Sequence, residues 1–388
     1  MSQKIAIIEL YQHDEVLDNF LYHLNDSIYS IEVYCSYSVF QSLNTIYLKN
    51  EIKWIPMKEK DTIPKFLALN KNNIQQNSLV ILTTVFSHFK EFRLSIDQQK
   101  TLLILHNIHW QLAPKKHYTI TSTSFIKDIL RIVKVWILNT EHHRKQLVDR
   151  VDALGVGSKE ILEYIHSCNN FSFKKKIFCV PFACHKRKKT LTSNEVIKII
   201  VPGIVSNENR NYHEVLGALK QIKTKLRKKV QLILLGYPKN IIGKKIQERF
   251  STFVHPQISV KYFTEPVSLT TYNTILLDAD FLIIPARKKT IFHTCIELNG
   301  HSKLMGTLND TIKFGKPTLL PSFYPISSSL TELIETYDSS KNLSEKIIAW
   351  VNNDLYISRA SKTTILEKEY NCQTLKSRLI KTINQVLT

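Results

Sequence analysis

The chain has 388 residues and a mass of 45.1 kDa, which exceeds one ordinary core of about 100–200 residues and implies two domains. Its 43% hydrophobic and 22% charged residues exclude a chain that is disordered throughout, and 9 Gly with 12 Pro exclude collagen-like or linker composition. The formal charge is +20, split +9 over residues 1–190 and +11 over the rest, so it is not a basic tail. A field of that sign attracts phosphates of nucleic acid, anionic lipid or small molecules, and an AT-rich genome produces the same Lys excess. All nine glycines stand at or after Gly155.

The apolar run Ile5–Leu10 is too short for a signal peptide, and no stretch approaches the roughly 18–20 apolar residues of a spanning helix. The expectation is a cytoplasmic chain whose six cysteines (35, 168, 179, 184, 295 and 372) are free thiols. His166, Cys168, Cys179, Cys184 and His185 match no zinc spacing, so no metal site is expected.

In chain order, near-continuous apolar strands are predicted at Lys4–Leu10, Ile31–Cys35, Lys53–Ile55, Leu79–Thr83, Thr101–His106, Val135–Leu138 and Ile177–Pro181. Helices are predicted between them at Asp14–Leu24, Ile63–Asn72, Phe125–Val133 and Glu141–Val151. Strands apolar on both faces belong to a parallel sheet covered by helices, so residues 1–184 form a doubly wound α/β domain. Residues 185–196 are polar and non-periodic, as a linker is. The pattern restarts over 197–357. Strands are predicted at Ile197–Val201, Val230–Leu235, Ser259–Phe263, Phe281–Ile284 and Thr318–Leu320, and helices at Tyr212–Leu226, Ile241–Phe250, Leu269–Leu277, Lys303–Phe314 and Ser344–Asn352. A helical segment over 358–388 is expected to return to the first domain. Two such domains leave a cleft between the carboxyl ends of their sheets, where ligands bind.

Two segments suit a diphosphate. Gly203 permits a close turn after the first strand of the second domain, and Arg210 offers a planar fork to phosphate oxygens. Further on, Ser302 is a good N-cap for the Lys303–Phe314 helix, whose N-terminus would face a phosphate that Gly300 lets approach. Lys303 and Asp310, seven apart, would share a helix face, a cation for the diphosphate and a carboxylate for ribose hydroxyls. Asp278-Ala279-Asp280 imitates a D-x-D metal motif but reads better as a helix end and strand start.

The order strand–Pro–Gly–x6–Arg, then strand–Pro–loop–Glu–x2–Gly–x2–Lys–x2–Gly–x3–Asp–x4–Gly–Lys–Pro, resembles the second domain of GT-B glycosyltransferases. It is closest to retaining family 4 and bacterial polysaccharide enzymes. The resemblance implies two Rossmann-like domains and transfer of a hexose-type sugar from a UDP- or GDP-sugar to a hydroxyl, without a cofactor. The acceptor would be a glycan or lipid-linked glycan, with an anionic inner-membrane surface as a partner met by the basic clusters, and no nucleic acid. In that family a Glu–x7–Glu motif touches donor sugar and ribose. Asp310 holds the second place, Ser302 the first, and Glu297 is the candidate for the displaced acid. A His at the end of the Thr101–His106 strand touches the transferred sugar in the family, which points to His106, with His109 in reserve. Glu9 and His13, after the first strand, are candidates for acceptor contacts. A nucleotide-sugar epimerase and a non-catalytic anion-binding scaffold remain as alternatives.

Overall fold

The computed structural model describes residues 3–25, 27–47, 52–120, 125–168, 171, 175–185, 194–223, 225–362 and 364–388. Most of the expected linker, with the basic run Lys186–Lys189, and Lys174 lie outside the described residues.

The first domain begins β1 (Lys4–Glu9), α1 (Asp14–Leu24), β2 (Ser30–Cys35), α2 (Tyr37–Leu43), β3 (Ile52–Pro56), α3 (Ile63–Ile74) and β4 (Leu79–Leu82). It continues α4 (Phe89–Ile96), β5 (Lys100–Leu105), α5 (Ile108–Leu112), α6 (Phe125–Ile137), α7 (Thr140–Arg150), β6 (Ala153–Val156), α8 (Lys159–Ser167) and β7 (Lys176–Cys179). Its seven strands pair in parallel in the order β3-β2-β1-β4-β5-β6-β7. The order reverses between β1 and β4, so the crevice for a ligand lies beyond their carboxyl ends.

The second domain begins β8 (Val196–Pro202), α9 (Tyr212–Gln221), β9 (Lys229–Leu235), α10 (Ile241–Ser251), β10 (Ile258–Tyr262), α11 (Leu269–Asp278) and β11 (Phe281–Ile283). A hairpin, β12 (Lys289–Phe292) and β13 (Cys295–Leu298), is followed by α12 (Gly306–Phe314), β14 (Thr318–Pro321), β15 (Ile334–Tyr337) and α13 (Ser340–Asn353). Six strands form a second parallel sheet, β10-β9-β8-β11-β14-β15, with its own reversal between β8 and β11. Both sheets are apolar on both faces because helices cover both: Ile7 and Ile8, on opposite faces of β1, and Ile199 and Ile200, on opposite faces of β8, are fully buried. The chain closes with α14 (Leu355–Ala360), α15 (Thr364–Tyr370) and α16 (Cys372–Leu387). Leu379, Ile383 and Val386 of α16 lie in the core of the first domain with Ile5, Phe20 and Leu102.

Three expectations are corrected, and one element is new. Residues 135–137 belong to α6 and are no strand; the apolar spacing of 126, 130, 133 and 137 continues a helical stripe through them. The helix expected from Lys303 begins at Gly306, with Met305 at the N-cap position and no side-chain cap, and the Ser302 hydroxyl donates to Glu297 instead. Six free thiols are not found: Cys184 and Cys372, 188 residues apart, form a disulfide joining the exit of the first domain to α16. That pairing depends on where α16 docks, which no local spacing encodes. The hairpin β12–β13 was not expected at all. It crosses to the first domain, where Cys295 is buried among first-domain side chains, and Ile296 N–H donates to His117 O at 2.9 Å.

Candidate active site

The wall supplied by the second domain is built on close backbone approach. Gly203, at φ +90°, ends β8, and Gly236 follows β9. A Cβ on Gly236 would sit 2.3 Å from Gly203 O, so the two loops touch only because that position lacks a side chain. The Arg210 guanidinium lies over Gly203 and its Nη1 donates to Ile204 O at 3.3 Å. Arg210 Nε and Thr307 Oγ1 are buried and, among the described residues, meet no partner. Both residues line the cleft, beside Gly306 at the start of α12. The unpaired N–H groups of that helix end carry its partial positive charge.

Asp310 stands one turn further along α12. It is buried, lines the same cleft and accepts a hydrogen bond from Tyr272 Oη at 2.8 Å. Burial, then the negative charge of Glu15, pushes its carboxyl up to about 8. Lys303 is on the loop before α12, not on the helix, so it shares no helix face with Asp310. Its Nζ donates to Asn209 Oδ1 at 3.0 Å. Burial lowers the ammonium to about 8 in spite of the opposing pull of Glu297.

On the first-domain side, His13 stands at the N-terminus of α1 and His106 directly follows β5. The rings of His13 and His106 lie 4.6 Å apart, and His106 stacks on Phe182 at 5.2 Å. His106 Nε2–H donates to Thr83 O at 2.7 Å, a tautomer assigned from that carbonyl. Burial lowers His106 to about 4 and His13 to about 3, the latter helped by the charges of His106 and Lys303, so both rings are neutral at pH 7. Asp14 and Glu15 line the cleft opposite Arg210. Glu15 is exposed, and its Oε2 is 3.7 Å from where a Gly306 Cβ would be. An acid from the first domain thus stands at the N-terminus of α12. Sequence reasoning missed it, since two acids opening a helix are ordinary. It missed Gly236 and Gly306 as well; a Gly directly after a strand and the second Gly of the Gly–x2–Lys–x2–Gly run were the available signals.

Four candidates lie away from this cleft. Gly300, at φ +84°, packs on Pro325, 2.4 Å from its would-be Cβ, so it gives a loop its turn. Glu9 is fully buried and accepts from Thr83 Oγ1, Thr84 Oγ1 and Tyr11 N–H, closing the turn after β1. His109 is buried, stacked on His117 at 3.5 Å, with Nδ1–H on Ile296 O and Nε2 accepting from Tyr164 Oη. Glu297 is fully buried on β13. It accepts from the N–H groups of His109 at 3.3 Å and Trp110 at 2.8 Å, and from Ser302 Oγ at 2.5 Å. Its carboxylate therefore meets the Ser302 hydroxyl, while its remaining bonds hold the first-domain helix α5. Of the acids in Asp278-Ala279-Asp280, Asp280 accepts from Lys198 N–H and Asn194, tying the start of β11 to β8.

The cleft between the domains measures about 530 Å³. No family model matches the chain, and no curated protein sequence matches it. Solved structures do. Anabaena HepE in complex with UDP-glucose superimposes with a TM-score of 0.63 at 11% identity, over 98% of this chain and 99% of that one. A glycosyltransferase from Rickettsia africae gives 0.66 at 11% identity over 100% and 99%. The lipopolysaccharide outer core galactosyltransferase WaaB gives 0.55 at 11% over 99% of each. The chain has the GT-B fold of these glycosyltransferases: two Rossmann-like domains facing each other across a cleft.

Proposed function

We propose that the chain is a glycosyltransferase that moves a hexose-type sugar from a nucleotide-diphosphate sugar to a hydroxyl of a glycan or lipid-linked acceptor. The observation that carries this is the pair of unpartnered buried atoms, Arg210 Nε and Thr307 Oγ1, in a glycine-lined cleft at the N-terminus of α12. Buried donors are seldom left without a protein, water or ligand partner, and these two are placed to meet a ligand in the cleft. The diphosphate lies between Gly203, Arg210 and Gly306, and Asp310 accepts from the ribose. Tyr237, Pro266 and Val267, which also line the cleft, take the base of UDP or GDP. HepE, of the same fold, binds UDP-glucose.

In transfer the C1–O bond to the diphosphate breaks with its electron pair leaving on the diphosphate, a C1–O bond to the acceptor forms, and the proton of the acceptor hydroxyl passes to the departing diphosphate. Negative charge grows on the departing diphosphate, where Arg210, Lys303 and the α12 N-terminus stabilise it without a metal. His106, neutral and beside His13, faces the sugar; retention of configuration follows the family likeness. Thermal stabilisation by UDP, GDP and ADP tests the donor site, and no response to any of the three overturns it. A second reading, nucleotide binding without transfer, is favoured by the burial of Glu297 away from the cleft. Sugar release or transfer from a bound donor decides against it.

A further inference from the structure

Apolar exposure on this protein is concentrated. Of the 22 exposed large hydrophobic residues among those described, eight fall between Ile120 and Leu138. Within α6, Ile126, Leu130, Val133 and Ile137 recur at i, i+4, i+7 and i+11, so they form one stripe, 71%, 62%, 40% and 70% exposed. Trp136 beside it is 83% exposed. Lys127, Arg131 and Lys134 recur at i, i+4 and i+7 one residue on, forming a parallel exposed stripe of cations. The opposite side of the helix, with buried Asp128 and partly buried Ile129, Ile132 and Val135, rests on the domain. An open groove of about 630 Å³ separates α6 from α5 and α7.

We infer that α6 is a membrane-docking helix that lies in the interface of an anionic bilayer, its Ile126–Ile137 stripe and Trp136 among the acyl chains and its cation stripe among the headgroups. Thirteen residues span roughly 20 Å, too short to cross, and no helix among the described residues is long and apolar enough to do so. Side-by-side apolar and basic stripes, with a Trp at their margin, are what an interfacial helix needs. A second copy is a poor occupant, since two such faces would oppose their cation stripes on chains of charge +20. A neutral apolar partner would offer Lys127 and Lys134 no counter-charge, whereas Arg131 already meets Asp128 Oδ1 at 3.3 Å. The inference goes beyond the transfer reading and does not need it: docking is measured with no nucleotide present. Where both hold, α6 puts the first domain, the acceptor side, against the surface that carries a lipid-linked glycan.

The test is co-sedimentation of the full chain with vesicles of phosphatidylglycerol and phosphatidylcholine, against pure phosphatidylcholine, with tryptophan emission recorded in parallel. Trp136 is the exposed tryptophan, since Trp110 and Trp350 are buried and Trp54 is partly buried. Binding to the anionic vesicles should be at least fivefold stronger, fall at high salt, and shift emission to the blue. Leu130→Ser with Trp136→Ser should abolish binding, and Lys127→Ser with Lys134→Ser should weaken it about tenfold. Unchanged melting temperatures would certify the fold of both. Failure to bind anionic vesicles, equal binding to the neutral ones, or full binding by Leu130→Ser/Trp136→Ser overturns the inference. So does a dimer in solution that this double variant dissociates.

Discussion

A methyl group on Gly203 would lie 2.1 Å from Arg210 Nη2: the bare α-carbon of the first residue is the seat of the second's guanidinium. The two belong to one loop between β8 and α9, and the +90° φ of Gly203 shapes it. Gly203→Ala should therefore act like a change at Arg210. Arg210→Ala should weaken UDP binding by about 1.5–3 kcal/mol, roughly 10- to 150-fold. Gly203→Ala should displace the guanidinium, giving a loss in the same direction with a lower Tm. Titration calorimetry with UDP measures both, and unaltered affinity in either variant contradicts the placement of the diphosphate.

The pH dependence of nucleotide binding should be bell-shaped about pH 8. The Asp310 carboxyl, held up near 8, gains its hydroxyl-accepting ionised form as pH rises. The Lys303 ammonium, held down near 8, loses its phosphate-attracting charge over the same interval. Asp310→Asn should remove the acid limb, and Lys303→Met the alkaline limb. Calorimetry between pH 6 and pH 10 separates the two, and a flat profile speaks against both roles.

Two buried carboxyls should make the fold less stable as pH rises. Burial raises Glu9 and Glu297 each from 4.5 to about 7, so the native state holds protons that the unfolded chain has released. Unfolding free energy then falls between about pH 4.5 and pH 7, by at most about 3 kcal/mol per group. Glu9→Gln should flatten part of that fall in denaturant titrations at pH 5 and pH 8. A slope identical to that of the unaltered chain refutes the assignment.

Glu297→Ala should cost stability at every pH, because the N–H groups of His109 and Trp110 lose their acceptor in a buried setting. The expected loss is on the order of 2–4 kcal/mol. Thermal melting measures it, and a melting temperature equal to that of the unaltered chain would show that Glu297 does not bridge the domains.

The Cys184–Cys372 bond closes a loop of 188 residues. Cys372→Ser should lower stability by roughly 2–4 kcal/mol under oxidising conditions and leave it unchanged in the presence of dithiothreitol. Equal effects in the two buffers would show that the cysteines contribute as packed thiols.

Local pattern carried most of the architecture. Apolar runs such as Ile5–Leu10 and Ile197–Val201 are strands because burial on both faces demands it, and the Asp14–Leu24 helix is found with the bounds its periodicity gave. Gly203, Arg210 and Asp310 were legible too, since a strand-end Gly, a loop Arg and a helix acid need only neighbouring chain to be placed. Glu297, Gly300 and His109 were not. Each has the residue type a donor site needs, but Gly300 packs on Pro325, and the fate of the other two rests on the β12–β13 hairpin crossing to the first domain, where Glu297 holds α5 and His109 bonds Ile296. Glu15 at the mouth of α12, the disulfide and the exposed stripe of α6 belong with them. The sequence alone determined which segments bury and with what period. The tertiary structure decided which polar groups face the cleft, because that depends on contacts between residues far apart in the chain, such as Glu15 and Gly306, whose energies no local spacing contains.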